Sequence, residues 1–341
     1  MQKCPDKIPI FSHRSKRFIR VERTIDTAFL IQVPALLGPT AAGKTALALD
    51  IACKSGWEII SCDSRQVYRG MNIGTAKPDA TDLSRVRHHL IDILDPGVSW
   101  SAFDFARDAQ QTIRDLAAQV KTGFICGGTG LYFESLRSGM APQTASDPEL
   151  RERLRQRAQR EGSEVLHAEL REKDPVSAGK IHANDVQRIL RALSVFYSTG
   201  RPISELRHGT QPPHDMTFHV AVIIPPRTLL YERINRRVDE MAARGMYDEF
   251  LQLLKCGFDD TSPGLHCIGY RELFAVWRNE CSINEALDHI KRNTRNYAKR
   301  QCSWFLAHNR NEIVPWSDNP ATLRENIMMR INDPPLVFRG E

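Results

Sequence analysis

Residues 38–45 read GPTAAGKT, the spacing G-x-x-x-x-G-K-[ST] of a loop that holds polyphosphate. Each residue type has a use in that chemistry. Gly38 and Gly43 let the backbone wrap so that N–H groups point inward, and Pro39, Thr40, Ala41 and Ala42 supply the intervening amides. Lys44 brings a point charge to the terminal phosphates, and the Thr45 hydroxyl suits Mg2+. Such a loop fixes an anion but does not select a reaction.

Two further segments offer reactive groups. The apolar run 57–62 ends at Asp63, followed by Ser64, Arg65 and Gln66 in the stretch SCDSRQVYRGMNIGTAKP. A carboxylate at the carboxyl end of a strand, beside a phosphate loop, stands where open α/β sheets bind their ligands. Asp63 there suits a general base if a substrate proton comes within reach. It suits an N-cap or an outer metal ligand equally well, and the residues alone leave these open. GGTGLY at 127–132 follows another strand-sized run. Gly127 and Gly128 permit close approach and Thr129 offers a hydroxyl, although two glycines after a strand also make an ordinary tight turn.

The elements that must position these groups alternate. Apolar runs at 29–37, 57–62, 89–94, 123–126 and 218–224 read as strands. Helical spacing appears at 46–54, 103–120 and 228–244. This alternation predicts an α/β fold, a P-loop NTPase-like parallel sheet flanked by helices. The pattern changes near residue 142. From 147 to 208 the chain reads as helices only, with Asn184 as the N-cap of a helix that Gly200 ends. The expected organisation is a basic, disordered extension (1–30), a catalytic core (31–141 and 209–310) around a helical insertion domain (142–208), and a C-terminal tail (311–341).

Composition excludes several classes. The 341 residues are 41% hydrophobic and 26% charged, as in globular chains rather than disordered or collagen-like ones. No run approaches the roughly 20 apolar residues of a membrane span. Residues 1–24 hold seven Lys/Arg against two acids, so most of the +6 net charge sits in the extension. The extension has no apolar core of a secretory signal, and its basic character also fits a presequence. Residues 291–310 carry six Lys/Arg and no acid, interleaved with Tyr297 and Trp304. Eight cysteines show no C-x-x-C spacing, which predicts small buried hydrophobes in a reducing compartment rather than zinc ligands. Arg227 and Arg237, after the last core strand, read first as solvated helix charges and second as aids to the phosphate site.

The segments GPTAAGKT, DSRQVYRGMNIGTAKP, HHLIDILDP, SAFDFARDA, GGTGLY, NDVQRILRAL, GYRE and TRNYAKRQCSWF occur in this order. Together they resemble the tRNA dimethylallyltransferase (tRNA isopentenyltransferase) family over about residues 34–306. The resemblance implies transfer of a dimethylallyl group from dimethylallyl diphosphate to N6 of the adenosine 3′ of the anticodon, in tRNAs reading codons that begin with U. It implies that Thr40–Thr45 hold the donor diphosphate with Mg2+, that Asp63 is the general base, and that Lys44 and Thr129 serve the reaction centre. It also implies tRNA contacts for Asp63, Ser64, Arg65, Gln66, Thr129 and Arg151, for Gln187, Arg188, Ile189, Leu190 and Arg191, and for His266, Cys267, Ile268, Gly269, Tyr270 and Arg271. Ala42 departs from the family's frequent Ser. No zinc-finger spacing follows residue 306, as in the bacterial type. The expected partners are the tRNA anticodon stem-loop and dimethylallyl diphosphate, with no membrane, for a cytoplasmic monomer.

Two other readings share the P-loop. An NTP-dependent small-molecule kinase accounts for a lid-like insertion but not for the basic segment 291–310. A non-catalytic RNA-binding protein leaves Asp63 and Thr129 beside the P-loop without a purpose.

Overall fold

The computed structural model describes residues 30–139, 148–206 and 212–332. Residues 1–29 of the basic extension lie outside them. The chain begins with strand β1 (Ile31–Leu37), helix α1 (Lys44–Ser55), β2 (Glu58–Cys62), α2 (Ala80–Arg85) and β3 (His88–His89). It continues with α3 (Ala102–Ala118), β4 (Gly123–Gly127) and α4 (Gly130–Ser138). Five helices follow: α5 (Pro148–Glu161), α6 (Ser163–Lys173), α7 (Pro175–Ala178), α8 (Val186–Thr199) and α9 (Ile203–Leu206). Then come β5 (Met216–Val222), α10 (Arg227–Ala243), α11 (Met246–Lys255), α12 (Tyr270–Trp277), α13 (Ile283–His308) and α14 (Pro320–Asn332).

The strands form one parallel sheet in the order β3-β2-β4-β1-β5. β1 lies inside the sheet because its residues are apolar on both faces, Val33, Leu36 and Leu37 being fully buried. Its neighbours β4 and β5 come later in the chain, so the P-loop strand is completed only by residues beyond the insertion. Helices α3 and α4 cover one face, with Phe105, Ile113, Phe133 and Leu136 in the core. Helix α1 and α14 cover the other, with Leu49, Ile51, Leu323 and Ile327.

Several expectations need correction. The run 89–94 is not a strand: pairing stops after His89 because Leu90 (φ 60°) and Asp92 (φ 54°) turn the backbone into the left-handed region. Only a bridge from Leu94 to Tyr68 resumes it. Asp185 rather than Asn184 caps α8, its Oδ1 accepting from Arg188 N at 3.2 Å. Within the segment expected as a tail, α14 buries Leu323, Ile327 and Ile331 against the sheet, and Val314 N donates to Val222 O at 2.9 Å.

The helices between α4 and β5 have their own core of Leu154, Leu166, Leu170, Ile189 and Leu193. Two further helices, α7 and α9, have four residues each, too few for a helical period to show in the sequence. Asp174 joins them, accepting from Ser177 N (2.9 Å) and Ser204 Oγ (2.7 Å). A further core, under α10–α13, includes Tyr68, Met71, Phe250, Tyr270 and Ile290. It fixes the Asp63–Pro78 stretch against the C-terminal helices.

Candidate active site

The phosphate loop leaves β1 at Gly38, whose φ is 155° and where a Cβ would come within 2.4 Å of Ile223 O. Only glycine fits this approach between β1 and the end of β5. Lys44 begins α1 and its Nζ donates to Pro39 O at 2.7 Å. Burial pulls the Lys44 ammonium down to about 8, with Arg237 pulling the same way and Cys126 and Asp63 opposing. The Thr45 side chain is at the exposed start of the helix, in the same cleft.

Two carboxyl-end loops face this one. Asp63 follows β2 and its Oδ1 accepts from Arg65 N (2.8 Å) and Gln66 N (3.3 Å), which leaves Oδ2 for another partner. Thr129 follows β4; its Oγ1 accepts from Ser64 N at 3.2 Å and its own N donates to Cys62 O at 3.3 Å. Gly128 admits no side chain, because a Cβ there would lie 2.7 Å from Gln301 Nε2 and 3.1 Å from Gly38 O.

Gln301, on α13, closes the arrangement. Its Oε1 accepts from Thr40 N (2.9 Å) and its Nε2 donates to Gly128 O (2.8 Å), so one buried amide spans the phosphate loop and the Thr129 loop. Sequence reasoning missed it as a site residue; the only signal was its place in TRNYAKRQCSWF. Arg237 is not a solvated helix charge: it is largely desolvated, lies 3.4 Å from Thr40 Oγ1, and adds its charge to the phosphate loop. Arg227 stays exposed, over the Tyr231 ring.

The loops border two adjoining cavities. A cleft of about 1110 Å3 is lined by Thr40–Ala48, Asp63, Gln66, Arg233, Arg237 and Gln301. A second, of about 430 Å3, is lined by Asp63–Arg65, His266–Gly269, Arg271, Asn293, Tyr297 and Arg300. Thr40, Ala41, Asp63, Thr75, Arg237, Met241 and Tyr297 border both. Asp63 thus stands at the junction between an anion cradle and a second pocket.

The remaining expected residues divide. Arg271 is exposed at the second pocket. Arg151, Gln187 and Arg188 are exposed on α5 and α8, and Arg191 Nη1 is buried without a partner. Ile189 and Leu190 are in the insertion core and Tyr270 is fully buried, so their side chains face protein rather than a ligand. Arg65 Nη1 donates to Pro263 O at 2.9 Å, and the Gln66 side chain joins Ser61 Oγ (3.1 Å) to Ala76 O (3.2 Å). Trp304 lies against Gly130 and stacks on His308, while Tyr297 turns into the cavities. Cys62 is buried beneath the site, as expected, but Cys53 and Cys256 are exposed.

No group of three or more His, Cys, Asp or Glu among the described residues could cage a metal ion. The Thr45 hydroxyl in the cleft offers a sparser donor and leaves Asp63 Oδ2 free. It suits a cation that takes most of its ligands from phosphate oxygens and water.

The IPP transferase family model matches residues 66–311. The chain belongs to the IPP transferase family. It is 44% identical over 287 residues to a tRNA dimethylallyltransferase of Geobacter metallireducens, covering 83% of this chain and 91% of that one. Solved structures agree. The full-length tRNA isopentenylpyrophosphate transferase of Bacillus halodurans is 34% identical with a TM-score of 0.62, over 89% of this chain and 97% of the other. A eukaryotic dimethylallyltransferase acting on tRNA is 25% identical with a TM-score of 0.70, over 89% and 80%. This IPP transferase is therefore a prenyl-transferring enzyme. The relatives named are transferases of that kind, which goes against the kinase reading.

Proposed function

We propose that this enzyme transfers the dimethylallyl group of dimethylallyl diphosphate to N6 of the adenosine 3′ of the anticodon, in tRNAs whose codons begin with U. The observation that carries this reading is the position of Asp63 on the lining of both cavities. In it, the phosphate-loop cleft takes the donor and the second pocket takes an extruded base, the general route for chemistry on a stacked nucleotide.

The N6–C1 bond forms as the C1–O bond breaks, and the electron pair leaves on a diphosphate oxygen. Lys44, Arg237 and the loop N–H groups stabilise that oxygen. Asp63 Oδ2 takes the N6 proton as the amine loses its lone pair to carbon, a contribution of about 10²–10⁴-fold. Gln301 holds donor and acceptor loops at fixed separation. A divalent cation, Mg2+ in this reading, would be held by Thr45 and the diphosphate and would neutralise charge on the leaving group. Arg151, Arg188 and Arg191 offer charge to the anticodon stem, and Arg271 and Arg300 to phosphates at the mouth of the second pocket. The enzyme acts as a cytoplasmic monomer in this reading.

The test uses purified protein, Mg2+, dimethylallyl diphosphate and unmodified tRNA, with a parallel tube containing ATP. Digested RNA is read by mass spectrometry. A gain of C₅H₈ on one adenosine without ATP is the expected result. Phosphate transfer from ATP with no prenyl gain overturns the reading.

A further inference from the structure

The wall shared by the two cavities is held by one carboxylate that belongs to neither. Glu249, on α11, accepts from three successive backbone amides of the Asp63–Pro78 stretch: Asn72 N at 2.8 Å, Ile73 N at 2.8 Å and Gly74 N at 3.0 Å. Its Oε1 also accepts from Tyr270 Oη at 2.6 Å. Tyr270 is fully buried and directly follows the 266–269 segment that lines the second pocket. The next residue after the three amides, Thr75, borders both cavities. Gly74 and Tyr270 are in such close contact that a Cβ on Gly74 would lie 2.6 Å from the ring.

Glu249 therefore joins the donor-side loop to the acceptor-side segment by hydrogen bonds to both. Elsewhere on this loop, Lys77 Nζ reaches Tyr68 O (2.8 Å) and Asn72 Oδ1 (2.9 Å) and Gln66 reaches Ala76 O, while Lys77 also pairs with Asp92 and Arg65 Nη1 reaches Pro263 O (2.9 Å). Without Glu249, three adjacent N–H donors and a buried phenol lose their common acceptor.

We infer that Glu249 is a positioning residue of the transfer reaction, one that registers the Asp63 loop against the RNA-facing segment 266–271. It touches neither substrate and acts through Thr75 and Tyr270. This rests on the reading given under Proposed function. Misplacement of reacting groups by a fraction of an ångström to one ångström from a remote change costs up to about 10²-fold in rate.

The test compares wild type, Glu249→Gln, Tyr270→Phe and the double variant, each assayed well below its own melting temperature with saturating dimethylallyl diphosphate and tRNA. The carboxamide keeps the shape but turns an N–H₂ toward backbone donors. Glu249→Gln is expected to lose between about 10- and 100-fold in kcat while KM for dimethylallyl diphosphate stays within about twofold. Tyr270→Phe is expected to lose less, and the double variant no more than Glu249→Gln alone, because both act through one joint. A purely structural role predicts a lower melting temperature with wild-type kcat in the folded enzyme, and that result overturns the inference. Losses that multiply in the double variant also overturn it. Inactive wild type in the same assay would instead count against the transfer reading itself.

Discussion

Asp63 spends one carboxylate oxygen on its own loop and keeps the other for chemistry. Oδ1 is held by Arg65 N and Gln66 N, so the side chain cannot rotate freely when a base arrives. Asp63→Ala is expected to lower kcat by about 10²–10⁴-fold while tRNA binding, read by filter retention, stays within a few-fold. RNA-binding loss in parallel with activity would sink the general-base assignment. Lys44 carries a pH prediction. Burial, the main cause, lowers it to about 8 in the free protein, and a bound diphosphate favours the ammonium form. Above that pH, binding has to take up a proton, so donor affinity should fall by up to about tenfold per pH unit, and be flat just below it. Calorimetry from pH 7.5 to 9.5 reads this, and Lys44→Arg should flatten the slope because a guanidinium stays charged.

Among the elements, α14 is the one whose role differs most from expectation. Its turns supply Leu323, Ile327 and Ile331 to the core against α1 and the sheet, and Arg324 pairs with Asp50 at 2.8 Å. Just before it, Trp316 lies under the Arg233 guanidinium, which also reaches Ala42 O at 3.5 Å. Ile327→Ala should cost about 2–5 kcal/mol by leaving a cavity. A urea midpoint unchanged from wild type would show that the helix does not contribute to the core. The α14 spacing, i, i+4 and i+8, is present in the sequence, but Arg324, Glu325, Asn326 and Arg330 interrupt it and give the segment the look of a polar tail. The phosphate loop was legible because its chemistry is local, eight residues in a row. Gln301 and Glu249 were not, because their partners lie 261 and about 176 positions away. The run 89–94 looked like a strand from composition, and no residue type announced that Leu90 and Asp92 would turn left-handed.

The whole molecule presents its unpaired basic charge unevenly. On α13, Lys291 is paired with Asp239 (2.6 Å) and Arg295 donates to Asn235 (2.6 Å), whereas Arg292, Lys299 and Arg300 are exposed. Arg300 also borders the second pocket. Joint replacement of Lys299 and Arg300 by Ala should weaken tRNA binding across sequences and reduce the magnitude of the slope of log K against log salt by about 1–2. Binding titrations at several salt concentrations give that slope, and an unchanged slope would place the RNA elsewhere.

The order of the sheet also dictates a schedule for synthesis. β1 is made early, yet one of its two neighbours, β5, ends at Val222, and Gln301 and α14 emerge later still. At about 5–20 residues per second, the roughly 190 residues from β1 to the end of β5 take on the order of 10–40 s to leave the ribosome. Throughout that interval an apolar strand has an unfilled edge and the phosphate loop lacks Gln301, its clasp to the Thr129 loop. The nascent enzyme can neither complete its phosphate site nor fill both edges of β1 in that time, so its yield in the cell should depend on holdase chaperones more than its final stability suggests.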